Sequence, residues 1–185
     1  MNKPIDISAT VLSTQRLILR PWREMDLADF HAYARVDGVG QMAGWLPHKN
    51  IEESRDILCR FIRGQRVFAL EYQGKVIGSL GVEKYEEQDF PELEKLQGRE
   101  LGYVLSKDYW GQGLMPEAVR AVLTWLFEEE KLDFVTVRHY EKNARSRRVI
   151  EKCGFQYRKT VTAKTRFGTE EPTLTYILFA KDVKK

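Results

Sequence analysis

Met115, Ala118, Val119, Val122, Leu123, Leu126 and Phe127 recur at intervals of three and four residues. That spacing puts seven apolar side chains on one face of a helix. Weaker versions of the pattern appear at Leu27, Phe30 and Ala34 within residues 24–35, and at Ile57, Leu58, Phe61 and Ile62 within residues 51–63. Asp26 is placed to cap the first of these. "ARSRRVIEKC", from Ala144 to Cys153, reads as a short fourth helix.

Strands are predicted between them. "RLILRPW" (16–22) alternates apolar and basic residues before a proline, and "RVFALEY" and "KVIGSLGVEKY" flank Gln73–Gly74 as the arms of a hairpin. "RELGYVLS" (99–106) and "DFVTVRHY" (133–140) are single strands, and residues 154–183 hold two more about a Gly168/Pro172 turn. Residues 36–50, with three glycines and a proline, read as loop, as does the acidic stretch 86–98 with a short helix inside it. The order β-α-α-β-β-β-α-β-α-β-β describes one mixed α/β domain around a central sheet.

Composition narrows the class of protein. At 185 residues and 43% hydrophobic, the chain is long enough to bury one substantial core. Thirty basic against 27 acidic residues leave a net charge of +3, too even for a general affinity for nucleic acid or membrane. Cys59 and Cys153 lack CxxC or Cys/His spacing and fit reduced, buried thiols. No stretch approaches the ~18 apolar residues of a membrane span, so a soluble cytoplasmic protein is expected. His31, His48 and His139 are scattered without ligand spacing, and no metal site is expected.

"DYWGQGLMPEAV" (108–119) sets two glycines immediately before the strongest helix. A helix start presents unpaired N–H groups and the positive end of the dipole, which suits an anion. Gly111 and Gly113 would let phosphate oxygens reach those donors without interference from a Cβ. Pro116 fits the first turn and removes one donor, leaving the amides of positions 111–115. A tight strand-to-helix turn that binds nothing would use the same residues. There is no GxxxxGK[ST] and no third glycine at the dinucleotide spacing, so two nucleotide motifs are excluded.

"NARSRRVIEKCGF" (143–155) is the second constellation. Asn143 and Ser146 can be read as an N-cap and a first-turn serine. They can also be read as a ligand-holding amide and a proton donor.

The "YWGQGLMPEA" loop and the "NxxS…EKCGF" segment some thirty residues later resemble the GCN5-related N-acetyltransferases, the GNAT superfamily. The Rim-type branch, which acetylates protein N-termini, and its small-molecule relatives are the nearest likeness. The similarity runs from about Arg16 to Phe179. In the family pattern Q/R-x-x-G-x-G/A, Trp110 and Met115 hold the first and last positions, and Met115 is bulkier than the usual small residue.

The resemblance implies a single GNAT-like domain with its core at about 16–180. Its sheet would be twisted and mostly antiparallel, with one splayed strand pair, 99–106 and 133–140, holding acetyl-CoA in the opening. The pantetheine would pair with the backbone of Tyr103, Val104 and Leu105 like an added strand. The pyrophosphate would rest on the amides of Gly111, Gly113, Leu114 and Met115 with Gln112 alongside, and Asn143 would bind the pantetheine arm.

An amine would then attack the thioester directly. Free amines titrate at ~8 to ~10, so a base is useful, worth on the order of 10²–10⁴ in rate. Glu100 interrupts the apolar "LGYVL" strand and shares a face with Gly102 and Val104, opposite Leu101, Tyr103 and Leu105. It is the candidate base, directly or through water, and a solvated or salt-bridged glutamate near a strand end is its structural alternative. The Val104 or Leu105 amide would meet the oxyanion, and Ser146 would protonate the departing thiolate. Arg145, Arg147 and Arg148 are either a solvated helix face or a partner for the CoA 3′-phosphate.

A non-catalytic CoA-binding domain and a nucleic-acid module on Arg145–Arg148 are the rival classes, and the even charge argues against the second. Trp22, Trp45 and the acidic stretch 86–98 are expected to border the acceptor side. The acceptor is a peptide N-terminus or a small amine such as an aminoglycoside or polyamine. A monomer or homodimer is expected, without nucleic acid or membrane.

Overall fold

The computed structural model describes residues 1–183. Its strands are β1 (Leu12–Ser13), β2 (Leu17–Pro21), β3 (Val67–Tyr72), β4 (Lys75–Glu83), β5 (Gly98–Leu105), β6 (Phe134–Tyr140), β7 (Gln156–Lys164) and β8 (Glu170–Phe179). Its helices are α1 (Leu27–Ala34), α2 (Ile51–Gly64), α3 (Leu114–Glu128) and α4 (Ala144–Lys152). The expected order of elements holds throughout. Only β1, two residues long, has no signal in the sequence.

The strands form one eight-stranded sheet in the order β1-β2-β3-β4-β5-β6-β8-β7. All neighbours are antiparallel except β5 and β6, which run parallel. One face packs on α3 and α4. There Phe68, Leu80, Val82, Leu101, Val135 and Val137 meet Leu114, Val119, Leu126 and Ile150. The other face carries α1 and α2, with Val67, Ala69 and Val76 against Phe30, Tyr33 and Leu58. The two faces follow from alternation along the strands, and the predicted helical stripes pack inward, although on α2 only Leu58 of the stripe is fully buried and Ile57, Phe61 and Ile62 are partly so.

Two details differ from expectation. Pro172 lies inside β8, paired with Thr162 of β7, and the turn is Thr165–Thr169. A proline is tolerated there because β6 has ended: its last pair is Tyr140–Thr173. Asp26 does not cap α1 through its side chain. Its carboxylate instead takes two hydrogen bonds from the Arg20 guanidinium at 2.8 Å and one from the Arg23 amide.

The loop from residue 36 to 50 is held by histidines. His31 and His48 each place Nδ1 2.8 Å from Oγ of the fully buried Ser54 on α2. Burial pushes the His48 imidazole below its usual range. Two of the three histidines thus meet, although their separation in sequence gave no sign of it. Among the described residues no group of three or more His, Cys, Asp or Glu is placed to hold a metal ion, and no helix is long and apolar enough to cross a membrane.

The Arg20–Asp26 pair is buried on both sides, with side-chain exposures of 7% and 5%. Arg20 keeps Glu71 as a second partner at 2.7 Å when Asp26 is removed, whereas removing Arg20 strands the buried Asp26 carboxylate. Arg20→Ala should therefore cost about 3 kcal/mol in urea unfolding.

Candidate functional site

The parallel ladder between β5 and β6 is short. It pairs Gly98–Leu101 with Phe134–Val137 and stops there, although β5 continues to Leu105 and β6 to Tyr140. Beyond that point β5 stays in register with β4 as far as Leu105–Gly78, and β6 with β8 as far as Tyr140–Thr173. Each strand follows its outer neighbour, so a wedge opens in the middle of the sheet. This is the splayed pair expected from the sequence.

Peptide alternation decides which groups line the wedge. The Ser106 amide donates to the Ile77 carbonyl of β4, so Val104, two residues earlier, also turns its peptide groups toward β4. Tyr103 and Leu105 turn theirs into the wedge. Of the two amides expected to meet an oxyanion, Leu105 is the one that faces the opening. Its carbonyl accepts from the Trp110 indole at 2.8 Å.

The glycine loop closes one end. Gly111 and Gly113 both adopt left-handed backbone, φ 78° and 77°, where a side chain would be strained. Among the described residues nothing accepts a hydrogen bond from the amides of Gly111, Gln112, Gly113, Leu114 or Met115. The Met115 side chain is buried in the core beneath α3. Its bulk therefore lies away from the loop, and only its amide belongs to the cluster.

Arg16 holds this loop from behind. Its guanidinium donates to the Gln112 carbonyl at 2.9 Å and to Glu117 of α3 at 2.8 Å, while Thr14 donates to the same carboxylate at 2.6 Å. These bonds hold the Glu117 carboxyl below its ordinary value. By taking up the Gln112 carbonyl they fix the loop's backbone. No local pattern marks Arg16, because its partners lie about a hundred residues away.

Glu100 sits on the α1/α2 face of β5, beside the last paired residues. Arg138 of β6 donates through Nε at 3.0 Å to one carboxylate oxygen and 2.9 Å to the other, and Thr136 donates at 3.3 Å. Burial raises the Glu100 carboxyl above the usual carboxylate range, and Arg138 and Thr136 pull it partly back. The glutamate is thus both ion-paired and perturbed. Arg138 was missed in the sequence, although the same alternation places it on this face.

Gly102, one step further along that face, is exposed, and a Cβ built on it meets nothing within 4 Å. Its backbone needs no glycine and no neighbour crowds it. Over the wedge lies the loop after α1, where the Asn143 amide donates to the Met42 carbonyl at 3.4 Å and the Arg166 amide to that of Gly44 at 3.2 Å. Asp89 of the acidic stretch approaches Arg138 at 4.0 Å and pairs with Lys159 at 3.2 Å. That stretch therefore comes close to the Glu100–Arg138 pair. Trp22 does not: it is buried against Phe30 and Phe61. Trp45 packs on His48.

On the opposite face Ser146, in the first turn of α4, is buried with Oγ 2.9 Å from the Tyr103 hydroxyl. Asn143 caps this helix, accepting from the Ser146 amide at 3.2 Å. Among the three arginines, Arg145 stacks over Trp110 at 4.2 Å and Arg147 pairs with Glu151 at 2.8 Å. Arg148 is exposed and makes no ion pair among the described residues. Cys153 lies behind α4, its thiol pushed up to about 11 by burial.

Sheet order, wedge and glycine loop together describe an acetyltransferase-like site, and the comparisons agree. Residues 16–156 match the family model described as the acetyltransferase (GNAT) domain, and the chain belongs to that family. It is 43% identical over 60 residues to the probable N-acetyltransferase YjcK of Bacillus subtilis, a match covering 32% of this chain and 33% of that protein. An acetyltransferase (GNAT family) from Bacillus anthracis superposes with a TM-score of 0.81 at 20% identity, over 94% of this chain and 100% of that one. Mycobacterium smegmatis RimJ in complex with CoA-disulfide gives 0.76 at 18% identity, over 95% and 90%.

Proposed function

We propose that the protein is an acetyl-CoA-dependent N-acetyltransferase that passes an acetyl group to a primary amine, a protein N-terminus or a small-molecule amine. The observation that carries this is the pairing of two features. Five amides without a protein acceptor at a glycine-built helix start lie next to a strand opening into which the peptide groups of Tyr103 and Leu105 turn. The first suits a pyrophosphate and the second an amide-bearing arm laid in as an extra strand. The RimJ neighbour was solved with a CoA disulfide, which supports the same ligand here.

In this reading the residues divide by face. The peptide groups of Tyr103 and Leu105 hold the arm in the wedge, and Gly111, Gln112, Gly113, Leu114 and Met115 hold the pyrophosphate. Val104 contributes shape, since its peptide is turned to β4. Asn143 faces the arm through its amide, exchanging the long contact to Met42 for a ligand oxygen. Trp110 fixes the loop to β5, and Arg145 stacked on it brings a cation near the phosphates. Acetyl-CoA supplies the thioester when bound.

The amine arrives over Gly102, where the floor of the sheet is bare. Glu100, directly or through one water, removes its proton, which must leave before or as the C–N bond forms. The Leu105 amide donates to the thioester oxygen. Ser146, on the far face, gives its proton to the sulfur as the C–S bond breaks.

Millimolar acetyl-CoA should raise the melting temperature, since it binds only the folded protein. Gly113→Val should erase that shift, because φ 77° excludes a β-branched residue. No shift for the unaltered protein overturns the cofactor assignment. An amine panel with acetyl-CoA, read by thiol release, then identifies the acceptor, and binding without turnover on any amine would mark a non-catalytic domain.

The base has a pH signature. Only ionised Glu100 accepts a proton, so the rate should fall as pH drops through its raised pKa, above the ordinary carboxylate range. Glu100→Gln should lower kcat by about 10²-fold or more, remove that acid limb and leave acetyl-CoA binding intact. A wild-type profile would return Glu100 to its ion pair with Arg138.

Gly102→Ala tests the route of entry. The added methyl meets no protein atom within 4 Å, so folding should be undisturbed, with stability within about 1 kcal/mol of the parent. The KM for the amine should rise several-fold while acetyl-CoA binding stays level. An unchanged KM would place the acceptor elsewhere.

A further inference from the structure

The hydrogen bond between Tyr103 and Ser146 crosses the wedge. Tyr103 lies two residues beyond the last β5–β6 pair, and Ser146 opens the helix that follows β6. Their hydroxyl oxygens are 2.9 Å apart, so the bond joins the two sides of the opening on the α3/α4 face. Each hydroxyl owns a single proton. If Ser146 spends its proton on Tyr103, none is left for a ligand. If Tyr103 is the donor, the serine proton is free to turn into the wedge.

We infer that Tyr103 is a positioning residue: its hydroxyl donates to Ser146 Oγ and thereby directs the serine proton at the departing sulfur. The inference rests on the role given to Ser146 above. It assigns to the Tyr103 side chain a task separate from that of its backbone, which lines the wedge whichever ring it carries. Burial keeps the phenol protonated well above its usual range, so it has a proton to donate at every working pH. Two hydroxyls in series also polarise each other, which strengthens the outer donor where charge develops.

The proton count closes without a change at Tyr103. The amine gives a proton to Glu100 and on to water as the C–N bond forms. The C–S bond breaks, the sulfur takes the Ser146 proton, and water returns one to the serine. Tyr103 keeps its own throughout. A group that only orders another should show its effect in kcat and only while that other group is present.

The test is a double-mutant cycle of Tyr103→Phe and Ser146→Ala, using the fastest amine of the panel. Tyr103→Phe should lower kcat about tenfold, the equivalent of one net hydrogen bond of ~1.4 kcal/mol. The KM for acetyl-CoA should not move. The double variant should be no slower than Ser146→Ala alone, because without the serine hydroxyl the tyrosine has nothing to direct.

Effects that multiply in the double variant would show Tyr103 acting on its own and overturn the inference. So would a Tyr103→Phe enzyme of full kcat and lowered melting temperature, which would make the bond a structural bridge only. If Ser146→Ala itself keeps wild-type kcat, the serine role falls first, and the inference with it. A slow Ser146→Ala beside a fast Tyr103→Phe removes the inference alone.

Discussion

Four residue pairs, Gly98–Leu101 on β5 against Phe134–Val137 on β6, hold the two halves of the sheet together. Everything proposed for the site depends on the ladder stopping there. Had it run on to Leu105, the Tyr103 and Leu105 peptides would be satisfied by β6 and no ligand could lie between the strands. The ladder stops because each strand is held more extensively on its outer side, β5 through six pairs with β4 and β6 through seven with β8. Backbone groups left in a wedge must find partners, and water or an amide-bearing ligand can supply them.

The two faces of that wedge are chemically unlike. Glu100, Thr136 and Arg138 form a hydrogen-bonded set on the α1/α2 side, next to a bare glycine floor. On the α3/α4 side, Tyr103 and Ser146 stand among the apolar residues of the main core. One face can take a proton and the other can give one. The proposed transfer uses these two capacities on opposite sides of the wedge, and alternation along β5 puts Glu100 and Tyr103 on those two sides within four residues.

Local order was readable because it rests on local rules. The α3 stripe, the hairpin at Gln73–Gly74 and the glycine loop are short-range patterns, and each appears where expected. Alternation also placed Glu100 and Gly102 on one face and Tyr103 on the other. Pairings across long sequence separations left no such mark. Asp26 has the composition of a cap, and only the fold brings it the Arg20 guanidinium. His31 and His48 carry no spacing, yet share Ser54. Arg16 reaches Gln112 and Glu117 from the far end of the family region. Trp22, expected beside the acceptor, is core, because α1 and α2 fold over it.

Several residues that sequence reasoning found touch a ligand in the proposed reading, and side chains to which it gave no task hold them in place. Arg16 fixes the glycine loop, Arg138 the glutamate and Tyr103 the serine. Each does so by a bond of 3.0 Å or less to another part of the chain. Such partners recur around sites because a side chain that must act in one geometry needs its rotamer fixed, and a neighbour on a separate element does that best. A glutamate on a half-paired strand, or a hydroxyl free to rotate, would sample many orientations. The order of a few kcal/mol gained by holding reacting groups together depends on that restriction, so the supporting shell here belongs to the chemistry as much as to the fold.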